Sequence, residues 1–234
     1  MSALRPLRLT HLITSLDLGG AQTMLYKLLA HTDRRMFVPE VISMLDMGRI
    51  GMRLGDLDVP VHTLRMHPGV PNSAGMVCLV CHLRKRRQDM IQTWMYHADL
   101  VGSVAAKLTG VPVVWGIHQT DLSREGHPAL IRYTIEACRR LSGRIPARIV
   151  CCSMLASKVH ASLGYAAEKI VVIPNGFDLS LSVQLLQLSG EQRQQRGLAA
   201  RARVESEFNV TTIATRYEQV YRAVVDREPS RCPS

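Results

Sequence analysis

The chain has 234 residues, of which 47% are hydrophobic and only 5% aromatic, so a core built mainly from aliphatic side chains and methionine is expected. Its formal net charge of +10 at pH 7 favours anionic partners such as phosphates, but the basic residues are not interleaved with stacking aromatics, which argues against nucleic acid. No apolar run approaches the roughly 20 residues of a membrane helix, and the N-terminus lacks a signal-peptide pattern. A cytoplasmic location is expected, with peripheral attachment at the inner membrane surface left open.

Strand-like and helix-like segments alternate along most of the chain. Short apolar-rich runs predict strands, in chain order, at residues 7–14, 37–43, 61–64, 90–95, 113–117, 148–152 and 170–173. Helical periodicity predicts helices between them at residues 21–29, 74–89, 100–108, 129–141 and 154–163, with a short helix or loop at 48–57 and a loop at 68–73. Ser153 is placed to cap the last of these helices. This order predicts an α/β fold in which a Rossmann-like parallel sheet carries helices on both faces.

The tail of the chain has a different pattern. Residues 180–190 show no clear period and are interpreted as a joint, and residues 191–207 predict a charged helix. Residues 211–225 predict an amphipathic helix with one apolar stripe, formed by Ile213, Tyr217, Val220, Tyr221 and Val224. Such a stripe must be buried against another surface.

Two short motifs on the predicted helix 74–89 are open to more than one interpretation. Its end, at residues 84–87, is Arg-Lys-Arg-Arg, which is interpreted as a solvated helix terminus, with an anionic membrane or phosphate patch as the alternative. Cys78, Cys81 and His82 match the C-x-x-C-H pattern of haem attachment. The apolar helical context favours buried cysteines instead, although haem is not excluded.

Polar residues and glycines that follow strands are the candidates for chemistry, because ligands of a doubly wound sheet bind beyond the carboxyl ends of its strands. Gly19 and Gly20 precede a helix start and could let backbone amides approach a phosphate. His97 follows the fourth strand and His118 the fifth, so the two imidazoles could face one cleft and bind a sugar hydroxyl or shuttle a proton.

One acidic motif is interpreted as structural. Asp56 and Asp58 form a D-x-D, a pattern of carboxylates that can hold a metal ion, but they precede a strand in a predicted turn. No metal and no other cofactor is therefore predicted.

Taken in order, several segments resemble the retaining, nucleotide-sugar-dependent glycosyltransferases with the GT-B fold, of the group 1 or family 4 type. The matching segments are residues 19–22, 94–100, 113–118, Ser153 with its helix, 170–178, 198–208 and 216–221. The hexapeptide at 173–178, Ile-Pro-Asn-Gly-Phe-Asp, is similar to the family's hinge after the first domain. In the GT-B fold the last helix returns to the N-terminal domain, so the resemblance implies that the C-terminal helices pack back on the sheet domain.

The resemblance implies roles for individual residues. His118 corresponds to the histidine beside the transferred sugar and is the catalytic candidate. The implied substrate-binding residues are Gly19, Gly20, Gln22, His97, Gln119 and Asn175. Of these, the glycines correspond to the loop near donor phosphates, His97 to the acceptor side of the cleft and Asn175 to the turn at the domain crossover. Gln22 stands where many relatives have Glu. The partners implied are a nucleotide-sugar and a hydroxyl acceptor; the oligomeric state is not predicted.

The donor-binding half of such an enzyme has no counterpart in the sequence after Asp178. No Gly-Arg-x-x-x-x-Lys-Gly stretch follows, and Glu218 and Asp226, although eight apart, lie in the terminal helix. The predicted organisation is an acceptor-side domain at 1–174, a crossover at 175–190, remnant C-terminal helices at 191–225 and a disordered tail at 226–234. Three functions stay open: a hexosyltransferase impaired by loss of the donor domain, a non-catalytic acceptor-binding or interaction remnant, and a basic membrane-surface module.

Overall fold

The computed structural model describes residues 5–67, 73–119, 129–176 and 208–226. Its strands are β1 Leu7–Ile13, β2 Phe37–Ser43, β3 Val61–Thr63, β4 Met90–Trp94, β5 Val113–Ile117, β6 Arg148–Cys151 and β7 Ile170–Val172. Its helices are α1 Gly20–His31, α2 Gly48–Gly55, α3 Ser73–Arg86, α4 Tyr96–Thr109, α5 Ala129–Leu141, α6 Met154–Ser162 and α7 Val210–Val225. The predicted alternation is confirmed. The predicted joint at 180–190, the helix at 191–207 and most of the predicted tail lie outside the described residues.

All strand pairs of the sheet are parallel, in the order β3-β2-β1-β4-β5-β6-β7. From β1, strands β2 and β3 extend the sheet in one direction, and β4 to β7 extend it in the other. This reversal between β1 and β4 is the topological switch point, where the loops leaving the two strands diverge and open a crevice at the carboxyl edge.

The core has two layers, one on each face of the sheet. The first layer lies under α1, α2 and α7 and includes Leu25, Ile50 and Tyr217. The second layer lies under α3, α4, α5 and α6 and includes Leu79, Val101 and Trp115. Helices on both faces explain why the central strands β4 and β5 are buried along their whole length. The apolar run of β5 predicts this burial, whereas β4 also buries the polar side chains of Gln92 and Thr93.

Helix α4 begins four residues earlier than the sequence predicts. Met95 has a φ of 76°, and this left-handed residue turns the chain directly from β4 into a helix that starts at Tyr96. Its backbone is held there because the Met95 amide donates to the Gly116 carbonyl at 3.0 Å. His97 consequently lies in the first turn of a helix.

The prediction that Cys78 and Cys81 are buried is wrong, because both are exposed. The buried positions of α3 are Gly75, Leu79 and Leu83, spaced four apart along one face, and the two cysteines fall outside that stripe. His82, the third residue of the C-x-x-C-H match, packs against Glu40 instead. The basic residues 84–87 are exposed at the end of α3, as predicted for a solvated helix terminus.

Helix α7 packs back on the domain, as the family resemblance implies, and buries the predicted amphipathic stripe. Ile213, Tyr217, Tyr221 and Val224 are all buried in the first layer. At the rim the Glu218 carboxylate accepts a hydrogen bond from the Asp33 amide at 2.9 Å. Burying a large apolar side chain contributes about 1.5–3 kcal/mol, so four such residues make this docking stable.

No helix in the described part of the chain is both long and apolar enough to cross a membrane.

Candidate active site

The loop between β1 and α1 exposes a helix N-terminus at the switch point. Gly19 precedes α1, and the helix has neither a side-chain cap nor an acidic residue in its first turn. A Cβ at Gly19 would collide with the Gln22 side chain, whereas one at Gly20 would meet open space. Gln22 itself donates a hydrogen bond to the Ser15 carbonyl at 3.3 Å. The first amides of α1 are thus accessible to an anion.

His118, which follows β5, presents an imidazole with no hydrogen-bond partner among the described residues. Both of its ring nitrogens are shielded from solvent and unpaired, although the residue as a whole is partly exposed. The ring stacks on the Trp94 indole, with centroids 4.6 Å apart and planes inclined by 17°. An orphaned buried polar group costs about 1–3 kcal/mol, so such a side chain marks a position that a ligand could satisfy.

Burial lowers the pKa of His118 to about 4, and the nearby Asn175 carboxamide opposes this shift without cancelling it. Although Asn175 is close enough to affect His118, the two side chains do not reach hydrogen-bonding geometry, and Asn175 Oδ1 is also unpaired in this part of the structure. His118 is therefore a neutral imidazole at physiological pH, with one nitrogen able to donate a hydrogen bond and the other able to accept one.

The segment after β7 crosses the sheet edge towards α1 and is anchored on both sides. The Gly176 amide lies 3.3 Å from Met24 Sδ, and Lys27 Nζ donates to the Gly176 carbonyl at 3.1 Å. A Cβ at Gly176 would lie 2.9 Å from the Val210 backbone of α7, so only glycine fits there. This anchoring places Asn175 next to His118, two residues that are far apart in sequence.

The other two predicted residues lie at the same edge of the sheet. His97 is partly buried in the first turn of α4, and desolvation lowers its pKa. Gln119 directly follows His118 and is partly buried. The strands that precede these residues, β4 and β5, are neighbours in the sheet.

Sequence reasoning missed the buried ring cluster behind His118. Trp94 Nε1 donates to His11 Nδ1 at 3.1 Å, and because an indole can only donate, the proton of His11 must reside on Nε2. Burial, assisted by the positive charge of Arg34, lowers the pKa of His11 to about 3, so this ring is also neutral. The only sequence signal was a polar residue inside an apolar strand.

Two tyrosines of α7 complete this cluster. The Tyr217 ring is stacked at 6.1 Å from Trp94, and the Tyr221 ring meets His11 edge-on at 6.3 Å. Their hydroxyl groups are buried and, like His11 Nε2, have no partner within the described ranges. The sequence showed both tyrosines as part of an apolar stripe. It could not show that their rings contact Trp94 and His11 or that their hydroxyl groups are buried without described partners.

A surface groove of about 300 Å³ lies elsewhere, along the edge strand β7 and α7. Val172, Val220 and the side chains of Arg148 and Arg216 contribute to its lining. None of the predicted site residues lines it.

The D-x-D residues lie apart from the switch point, in the turn after α2, where Asp58 has a φ of 53°.

The sequence profile of Glycosyltransferase Family 4 matches residues 18–181, well over half of the chain. A search of curated proteins found no match. Among solved structures, HepE of Anabaena in complex with UDP is 23% identical and superposes with a TM-score of 0.64, over 82% of this chain and 50% of that one. In the complex of HepE with UDP and glucose the identity is 25% and the TM-score 0.60, over 82% and 51%.

A glycosyltransferase from Rickettsia africae is 14% identical, with a TM-score of 0.55 over 86% of this chain and 50% of that one. The chain thus spans about half the length of the solved structures that it matches. These likenesses establish the fold of the described domain, and the profile match establishes the family.

Proposed function

The chain belongs to glycosyltransferase family 4, and on that premise we propose that it takes part in transferring a hexose from a nucleoside-diphosphate sugar to a hydroxyl acceptor, with retention and without a metal in the reaction. The observation that carries this proposal is the shielded imidazole of His118, which lies at the carboxyl end of β5 with both nitrogens unpaired. HepE, which has the same fold, binds UDP and UDP-glucose, which supports a nucleotide-sugar as the ligand.

In this proposal His118 acts as a hydrogen-bonding residue and not as an acid. Because burial lowers its pKa to about 4, the ring is neutral near pH 7 and has no acidic proton to deliver. A neutral imidazole can still donate from one nitrogen to a sugar hydroxyl and accept at the other. The stack on Trp94 fixes the plane of the ring, so the sugar is oriented before the glycosidic bond breaks.

The N-terminus of α1 supplies the matching anion site. Its uncapped amides at Gly20 and beyond face the switch point, and a helix N-terminus favours phosphate through its partial positive charge. Gly19 and Gly20 allow close backbone approach, and Gln22 fixes the loop through Ser15. We assign this element to the diphosphate of the donor.

The remaining predicted residues are given supporting roles. Asn175, held beside His118 by the anchored Gly176 segment, orients the sugar or the imidazole. Gln119 is placed to bind the same ligand. His97, neutral because desolvation lowers its pKa, lies one strand away and is assigned to the acceptor.

The chain spans only about half the length of the solved structures that it matches, and this favours a second candidate function. If the donor contacts that relatives provide come from residues outside 18–181 or from another subunit, the described domain alone would bind ligands and turn them over slowly. The candidate function is then an acceptor-binding domain of glycosyltransferase ancestry whose activity is impaired.

Calorimetry and a turnover assay test the proposal and separate the candidates. Untagged protein is titrated with UDP, UDP-glucose and other nucleotide-sugars, alongside His118→Ala and the control His31→Ala, a histidine exposed at the far end of α1. Nucleotide-sugar binding that is lost in His118→Ala and kept in His31→Ala supports the proposed site. Donor hydrolysis or transfer supports the enzyme, whereas binding without turnover supports the binding domain. Absence of binding at millimolar ligand contradicts both.

A further inference from the structure

Three potential metal ligands meet on the opposite face of the sheet from His118. Glu40 of β2, His62 of β3 and His82 of α3 each offer one ligand atom, and these atoms all lie within 4.8 Å of one another. His82 Nε2 is 2.7 Å from Glu40 Oε1, and the rings of His62 and His82 are 4.7 Å apart. We propose that Glu40, His62 and His82 bind a divalent transition-metal ion, with zinc the best match.

An ordinary hydrogen-bonded pair explains only part of this arrangement. Glu40 and His82 satisfy each other, but His62 Nε2 is buried with no hydrogen-bond partner in the part of the chain that the structure describes. A metal ion would use that nitrogen as a ligand. The ion would also be coordinated by His82 Nε2. Because a coordinated nitrogen carries no proton, the proton that Nε2 shares with Glu40 would be released to solvent or the ring would be protonated at Nδ1 instead.

The set of ligands fits zinc in type and in spacing. Two imidazoles and one carboxylate, with a water at the open position, form a known zinc coordination set. Zinc–ligand bonds of about 2.0–2.2 Å place neighbouring ligand atoms of a tetrahedral site about 3.3 Å apart. Small side-chain rotations would therefore lengthen the 2.7 Å contact between His82 and Glu40 and bring the more distant ligand atoms, which lie within 4.8 Å, closer together. The His82 side chain is 18% exposed, which gives solvent access to the fourth position.

A buried threonine supports the carboxylate from behind. Thr10 Oγ1 donates to Glu40 Oε1 at 2.9 Å, and Thr10 is fully buried. Metal-ligating carboxylates are typically held in this way, and removal of such a partner usually lowers metal affinity about 10–100-fold. Thr10 thus provides a test that leaves all three ligands in place.

The position of the cluster indicates a role outside the sugar-binding crevice. Glu40 lies three residues before Ser43, the last residue of β2, which is about 10 Å from the carboxyl edge. His62 belongs to β3, an edge strand of only three residues. A metal would tie this short strand to β2 and α3, and so fix one edge of the sheet.

Zinc titration of the untagged full chain, after removal of metal with EDTA, tests the site by competition with a fluorescent chelator. We expect one equivalent of zinc to bind to the wild-type protein. Affinity should fall at least about tenfold in His62→Asn and in His82→Asn, and about 10–100-fold in Thr10→Val. His31→Asn and the double variant Cys78→Ser, Cys81→Ser should bind as the wild type does.

The exposed thiols are the main competing ligands, since Cys81 directly precedes His82. Cobalt-substituted wild-type protein distinguishes them without relying on variants that fail to fold. Visible ligand-field bands of a nitrogen- and oxygen-ligated ion, with no thiolate charge-transfer band, support the site. A thiolate band, loss of binding in the double cysteine variant, or absence of equimolar binding at millimolar metal overturns the proposal.

Discussion

The two layers of the core differ in how many of their polar ring atoms have hydrogen-bond partners, although the first layer also contains the Trp94–His11 pair. In the second layer the Tyr96 hydroxyl pairs with His160 Nε2 at 2.7 Å, and His160 Nδ1 pairs with the Ala156 carbonyl at 2.8 Å. Trp115 Nε1 there donates to Ser103 at 3.0 Å. In the first layer both nitrogens of His118 and the hydroxyls of Tyr217 and Tyr221 have no partner among the described residues.

This difference separates the layer whose rings are mostly paired within the protein from the layer that we propose faces the ligand. Buried polar atoms are normally paired, and exceptions concentrate where a ligand or ordered water completes them. The paired rings of the second layer stabilise the fold, whereas the unpaired rings of the first layer lie beside the switch point. His62 Nε2 is a ring nitrogen on the second-layer side of the sheet that has no partner among the described residues, and it is there that we propose a metal.

Acidification should produce the largest effect, and it should act mainly through the first layer, although burial also lowers the pKa of His160 in the second layer. The unfolded chain protonates its histidines near pH 6.5, but burial holds the pKa of His118 to about 4 and that of His11 to about 3. Between these values the unfolded state binds more protons, so the free energy of unfolding falls as the pH drops from about 6.5 to 4. His118 alone should account for at most about 3 kcal/mol of this loss.

Urea denaturation at several pH values between 7.5 and 4 measures this dependence. His118→Phe retains a ring that can stack on Trp94 and should flatten the pH dependence, whereas His31→Phe, at an exposed position, should follow the wild type. Equal slopes in wild type and His118→Phe would show that His118 is not held neutral in the folded protein.

Breaking a pair in the second layer should have the next largest effect. Tyr96→Phe removes the hydroxyl that pairs with His160 Nε2 and leaves that nitrogen buried and unsatisfied. The expected loss is about 1–3 kcal/mol in the free energy of unfolding, measured by urea denaturation at pH 7.5. Unchanged stability would mean that His160 finds another partner, and the contrast between the layers would weaken.

The smallest effect is expected for the matching change in the first layer. Tyr221→Phe removes a buried hydroxyl that has no described partner, so the free energy of unfolding should stay within about 1 kcal/mol of wild type or increase. A loss as large as that of Tyr96→Phe would reveal a hydrogen bond to this hydroxyl and would place Tyr221 among the paired rings.

A glycine under His118 tests whether the shape of the crevice matters. A Cβ at Gly116 would lie 2.6 Å from the Thr93 carbonyl and 3.4 Å from His118 Nε2. Because the first contact is with backbone, Gly116→Ala should displace β5 and weaken nucleotide-sugar binding, as calorimetry would detect. Gly110→Ser meets no atoms but has a φ of 76°, so it should lower stability slightly and leave binding unchanged.

Local sequence pattern predicted much of the fold but little of the site chemistry. Apolar runs such as residues 113–117 and the stripe on α7 depend on near neighbours, so their periodicity revealed them. The early start of α4 depends on one left-handed residue, Met95, which no periodicity shows. Likewise, His118 and Asn175 meet only because the anchored Gly176 segment crosses the sheet edge, a contact between distant parts of the chain.

Local pattern also could not reveal the three proposed metal ligands. Glu40, His62 and His82 come from three different elements, and nothing in their spacing indicates that they meet. The sequence drew attention to His82 through a haem-like motif, yet the structure turns that side chain towards Glu40. Only the parallel register of β2 and β3 and the packing of α3 bring the three together.

Nitrogen-detected NMR of the histidine side chains, recorded with and without UDP-glucose, tests directly whether His118 contacts the ligand. We expect the ligand to shift the resonances of the ring nitrogens of His118, the unpaired imidazole of the first layer, while those of His160, paired in the second layer, keep their chemical shifts. Binding that leaves His118 unchanged, or that shifts His160 to the same extent, would contradict this expectation.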